Sequence, residues 1–135
     1  MALGFITRSM VASIFVAGGA DSAKKPGPRA EMAQQFMSKL NVNLDDEESV
    51  TLVKTNGALQ VLGGVAMSLG IFPRLAALGL FGSLAATTAA GHPFWEVKDA
   101  GERQGQLTQF LKNLGLAGAL LAIAFGPSKK ASKKK

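Results

Sequence analysis

Four long apolar runs, separated by polar stretches, set the pattern of this chain. The first extends from Leu3 to Ala20 and is interrupted only by Arg8. The second runs from about Val50 to Phe72 and is free of charge over the nineteen residues Thr55 to Pro73. The third, Leu75 to Gly91, has no charge, and the fourth, Leu107 to Phe125, has one, Lys112. A hydrocarbon core takes roughly 20 helical residues, so runs of this length are close to what a crossing needs. A helix on the outside of a soluble bundle keeps a charged face, and these runs do not. The pattern predicts an all-α fold: a four-transmembrane-helix bundle, with a surface amphipathic segment in the first outer loop. Residues 1–127 would form the membrane domain. The first run also fits a cleaved signal peptide, with Arg8 as its basic region and Ala17-Gly18-Gly19-Ala20 as its cleavage zone. Three further spans favour a retained helix.

The polar stretch Asp21 to Ser49 opens with Pro26-Gly27-Pro28, which is expected to break any helix. After it, Ala33, Phe36, Met37 and Leu40 recur at helical spacing. This short amphipathic segment either lies along the membrane surface or packs on the end of the bundle. Asn43 or Asp45 can cap the second span, whose first turn carries Asp46, Glu47 and Glu48, acids that suit the positive end of a helix dipole. Pro73-Arg74 makes a tight connection to the third span. His92-Pro93-Phe94-Trp95 closes that span with residues at home in a bilayer interface. Glu96 to Gln106 reads as a polar loop, and Gly126-Pro127 ends the fourth span.

Charge refines the picture. All nine acidic residues lie between Asp21 and Glu48 or between Glu96 and Glu102. Of fifteen basic residues, five occupy the last seven positions, so residues 128–135 form a lysine-rich tail rather than a nucleic-acid-binding face. Basic residues favour the cytoplasmic side. The tail and Arg74 therefore place both termini in the cytoplasm of a multi-pass protein of the cytoplasmic membrane, with the two acidic loops outside. Arg8 can snorkel to the inner interface, and the tail can meet anionic lipid or a cytoplasmic partner. Cysteine is absent, which excludes disulfides and thiolate chemistry. A single histidine excludes the usual zinc sets.

Small residues recur in the spans: Ala76, Gly79, Ser83, Ala86, Thr87 and Ala90 in the third, Gly57, Gly64 and Ser68 in the second, and Gly115, Gly118 and Ala122 in the fourth. Such stripes let membrane helices pack closely. Polar residues gather at the outer ends of three spans: Lys54, Asn56 and Gln60; Thr87, Thr88 and His92 with Trp95; Gln109, Lys112 and Asn113. Lys54 and Lys112 each lie roughly 6–9 Å inside their spans. A charge in hydrocarbon costs about 2.5–3.5 kcal/mol, so the two lysines need partners. Three readings remain open: a structural network with snorkelling lysines, a site for a quinone-like or anionic ligand, or an interface with another membrane subunit. Gln109, Lys112 and Asn113 are expected to face into the bundle together.

On these residues the chain resembles the DoxX family of small four-helix membrane proteins. The resemblance covers about Leu3 to Phe125. It rests on Arg8 ahead of Phe15-Val16-Ala17-Gly18-Gly19, on Gln60-Val61-Leu62-Gly63-Gly64, on Leu69-Gly70-Ile71, and on Arg74. Its most specific part is His92-Pro93-Phe94-Trp95 followed by Gln109-Phe110-Leu111-Lys112-Asn113-Leu114. The long insertion after Ala20-Asp21, where the pattern has a lysine close by, and the basic tail are departures from it. The resemblance implies a bundle in the cytoplasmic membrane, with links to quinone-dependent sulfur oxidation or to membrane assemblies that handle oxidative stress. The expected function is a non-catalytic accessory or scaffold subunit of a membrane redox or respiratory assembly, partnered by the bilayer and by other membrane subunits. The rivals are a quinone-interacting subunit of an oxidoreductase, with Lys112, Asn113 and His92 on the quinone oxygens, and a small lipid- or solute-binding protein. No other cofactor is indicated.

Overall fold

A computed structural model describes residues 2–127; the lysine-rich tail lies outside the described residues. Five α-helices follow in order: α1 Ala2–Lys24, α2 Gly27–Lys39, α3 Asp46–Leu69, α4 Pro73–Gly91 and α5 Ala100–Phe125, with a 3-10 turn at Phe94–Glu96. Among the described residues there is no strand. By length and composition α1, α5, and α4 continued to Glu96 are each able to cross a membrane. At 24 residues α3 has the length, but its N-terminal half carries Asp46, Glu47, Glu48 and Lys54.

Helix ends follow local chemistry. The Asp45 side chain accepts from the Glu48 N–H at 2.7 Å, and the Glu48 carboxylate accepts from the Asp45 N–H at 3.0 Å. This reciprocal box fixes the start of α3. Gly70, at φ 77°, ends it in the left-handed region open to glycine. Phe72 also has positive φ, 44°, which tightens the link into α4. Pro26-Gly27-Pro28 breaks the helix, since α1 ends at Lys24, and at once starts the next. Pro28 falls in the first turn of α2, where a missing N–H costs nothing. The stretch from Ala100 to Gln106 is likewise helical rather than a loop, capped by Asp99 through the Glu102 N–H at 3.0 Å.

The long helices run alternately up and down. α1 packs on α3 along most of its length, α3 on α4, and α4 on α5; α1 and α5 touch only slightly. The α1–α3 contact is made at backbone distance. A Cβ added at Gly19 would lie 2.5 Å from the Gly57 carbonyl oxygen, and one added at Gly57 would lie 2.5 Å from the Gly19 carbonyl oxygen. Val16 and Ala12 fill the space over Gly64 in the same way. Toward the other end of the bundle Ala12, Phe15, Met67, Ala77, Leu80, Leu84, Leu120 and Ala124 form one apolar core drawn from all four long helices. The glycines of α4 and α5 do not act as expected. Gly79, Gly82, Gly115 and Gly118 have open space where a side chain would go, so close approach is confined to α1 and α3.

Two arginines hold the end of the bundle that carries no acid. Arg8 donates from Nε to the Met67 carbonyl at 2.8 Å, and Arg74 donates from Nη2 to the Gly126 carbonyl at 2.6 Å. Arg74 satisfies a carbonyl past the end of α5, and Arg8 adds a second donor to the Met67 carbonyl, which also accepts from the Gly70 N–H at 3.2 Å. At the opposite end α2 packs across α3 and α4 and buries Ala30. Gln34 donates to the Leu44 carbonyl and the Asp46 carboxylate, and Lys39 pairs with Glu96 at 2.5 Å. Exposed pairs of this kind add little stability, but they fix where α2 lies.

Gly57→Ala should lower the melting temperature in detergent sharply, a loss of about 1–3 kcal/mol typical of an overpacked contact. Gly115→Ala, with nothing nearby, should melt like the parent protein.

Candidate functional site

The polar residues of the spans come together as three cross-links between helices. In the first, Gln60 on α3 donates from Nε2 to Ser83 Oγ on α4 at 2.8 Å, and Ser83 Oγ donates to Asn56 Oδ1 at 2.7 Å. Asn56 and Gln60 stand one helical turn apart, so one hydroxyl reaches both. In the second, Asn113 on α5 donates from Nδ2 to Thr88 Oγ1 on α4 at 2.9 Å. In the third, His92 Nδ1 lies 2.8 Å from Gln106 Oε1 at the mouth of the α4–α5 pair. A carbonyl oxygen accepts, so this contact requires the proton on Nδ1. Gln60 and Thr88 are buried, while Asn56, Ser83, His92 and Asn113 are half-buried. Among the described residues no buried side-chain nitrogen or oxygen lacks a hydrogen-bond partner.

The remaining candidates lie apart from these links. Lys54 neighbours the buried Val53 but is itself exposed, since a step of about 100° carries it off the inner face of α3. Lys112 is exposed for the same reason: the inner face of α5 follows Asn113, Leu116, Leu120 and Ala124. Gln109 is exposed as well. The inward face expected to carry Gln109, Lys112 and Asn113 thus holds only Asn113. Helical neighbours at three and four positions share a broad face, but only its centre is covered by a flanking helix. Among the described residues neither lysine has a carboxylate partner.

Trp95 is 55% exposed and belongs to an aromatic cap. Its ring meets Phe94 edge-on at 5.3 Å and Phe110 at 6.1 Å, and Phe94 meets Phe110 at 5.2 Å. Such edge-to-face contacts add roughly 0.5–1.5 kcal/mol beyond area burial. They pin the turn after α4 to the side of α5. Sequence reasoning took Ser83 for a packing residue and gave no role to Gln106 or Phe110. Ser83 lies at helical spacing from Thr87, which marks its face but not the two amides opposite.

Long apolar helices, few charges within them, and interior polar groups spent on one another define a helical membrane protein. The DoxX family model matches residues 3–93, more than half of the chain, and the chain belongs to the DoxX family. Trp95, Gln109, Lys112 and Asn113 lie beyond the matched stretch. No curated protein and no solved structure matches the chain.

Ser83→Ala removes the hydroxyl shared by Asn56 and Gln60. Thermal melting in detergent should show a loss of about 0.6–2 kcal/mol, the range of hydrogen bonds between membrane helices. Thr87→Ala, which removes a bond only within α4, should cost less.

Proposed function

We propose that this protein is a non-catalytic accessory or scaffold subunit of a redox or respiratory assembly in the cytoplasmic membrane. In this reading α3 joins α1, α4 and α5 as a fourth span, and both termini face the cytoplasm. Support for the fourth span comes from the backbone contact of α3 with α1, an apolar helix of crossing length. Support for the orientation comes from the five lysines concentrated in the last seven positions, which follow α5 at the end that holds Arg8 and Arg74, against six basic residues spread through the stretches Asp21 to Ser49 and Glu96 to Gln106.

The observation that carries the scaffold reading is the division of the polar residues. Asn56, Gln60, Ser83, Thr88 and Asn113 spend their hydrogen bonds inside the bundle. Lys54, Gln109 and Lys112 are exposed, and among the described residues neither lysine has an acid to meet it. An outward lysine within a span is costly unless it reaches headgroups or a partner's acceptor. An adjoining membrane subunit with carboxylates or carbonyls at that depth would supply one. A quinone subsite would need His92, Lys112 and Asn113 to converge, whereas Asn113 is engaged by Thr88 and Lys112 lies on the outer face. That favours the scaffold over the quinone reading.

The test is native purification in mild detergent with subunit, lipid and quinone analysis. The parent protein should bring down partner subunits. Lys54→Met with Lys112→Met should lose them at least tenfold and melt no lower than the parent, because two costly charges are gone. Undiminished recovery of partners overturns the assignment of the lysines. Stoichiometric quinone in the parent that is lost from the variant would favour the oxidoreductase reading.

A further inference from the structure

On one side of their contact α1 and α3 part and leave an open groove of about 450 Å³. Phe5, Val16, Val65 and Leu69 give it apolar walls, and Ser9 and Ser68 add hydroxyls. It follows α1 from Phe5 to Ala17, roughly 18 Å at 1.5 Å per residue. That is close to the depth of one leaflet, about half of a 30 Å hydrocarbon core.

Arg8 does not itself line the groove; its guanidinium lies between Gly4 and Gly70, the chain neighbours of Phe5 and Leu69 at one end of it. Its Nε is held by the carbonyl of Met67, the residue before Ser68. Its two Nη groups reach out between glycines: a Cβ at Gly4 would lie 3.1 Å from Nη1, and one at Gly70 would lie 3.3 Å from Nη2. Among the described residues neither Nη group has an acceptor. The chain has no acidic side chain to offer there, since all nine lie in two stretches, Asp21 to Glu48 and Glu96 to Glu102, at the far end. A half-buried guanidinium with a planar pair of free donors suits a phosphate.

We propose that the α1–α3 groove binds one anionic phospholipid, with its phosphate on the Nη groups of Arg8 and an acyl chain along the groove. The proposal does not depend on the scaffold role. It requires only that α1 and α3 stand together in the bilayer. A bound lipid of this kind would complete the contact that the two helices make on their other side through Gly19 and Gly57.

The protein would be reconstituted in nanodiscs of equal phosphatidylglycerol and phosphatidylcholine, released, and weighed with its retained lipid by native mass spectrometry. Phosphatidylglycerol should be retained over phosphatidylcholine roughly fivefold, the effect of one basic residue at an anionic headgroup. Ser13→Phe places a ring in the groove from an exposed position and leaves Arg8 in place. It should abolish retention without lowering the melting temperature. Arg8→Gln should remove the headgroup preference, and Arg74→Gln, at the same end but off the groove, should leave it. Equal retention of the two lipids by the parent overturns the proposal. So does a preference that survives Ser13→Phe, or one that Arg74→Gln removes as fully as Arg8→Gln.

Discussion

The approach of α1 and α3 at Gly19 and Gly57 is the contact on which the rest of the structure depends. Two helices come close enough that neither position tolerates a Cβ. In a bilayer no hydrophobic force pushes helices together, so contact of this kind must supply the association itself. Once α3 is held against α1, its opposite side meets α4. Asn56 and Gln60 then fall at the level of Ser83, and Gly63 receives Leu80. α4 in turn offers Thr88 to Asn113 and brings α5 into the bundle. Each step satisfies polar groups that hydrocarbon would otherwise leave stranded.

The two ends of the bundle are built differently. At one, arginines from α1 and α4 close the carbonyl ends of α3 and α5, and carboxylates are absent. At the other, α2 lies across the helix ends, tied by Gln34 to Asp46 and by Lys39 to Glu96. The aromatic cap of Phe94, Trp95 and Phe110 closes the α4–α5 side of that end. Polar chemistry is therefore concentrated at one level, but most of it faces inward and is already used.

Much of this was legible in the sequence. Apolar run length marked the long helices, and Asn43 and Asp45 were both legible as caps for α3, of which the structure uses Asp45. The Pro26-Gly27-Pro28 segment did separate two helices, but that α2 begins within it was not read, because proline is tolerated in a helix's first turn. The small-residue stripes misled because spacing shows that a residue is small, not that a helix lies opposite: Gly57 and Gly64 have a partner, while Gly79 and Gly115 do not. The polar cluster was found as a set of residues but not as a set of bonds. Periodicity grouped Lys112 with Asn113, yet one residue is a full step of about 100° around the helix, enough to separate a buried cross-link from an exposed charge. The role of Ser83 needed the amides of another helix, which no local pattern contains.

The least apolar of the long helices is α3, and the whole bundle rests on its crossing the bilayer beside α1. Single cysteines at Pro26, Ile71 and Asp99, probed with an impermeant thiol reagent on intact cells, test this directly. Reaction at Pro26 and Asp99 but not at Ile71, with Ile71 reacting only after the membrane is opened, is the predicted result. Reaction at Pro26 and Ile71 together would put both ends of α3 on one side and contradict a fourth crossing.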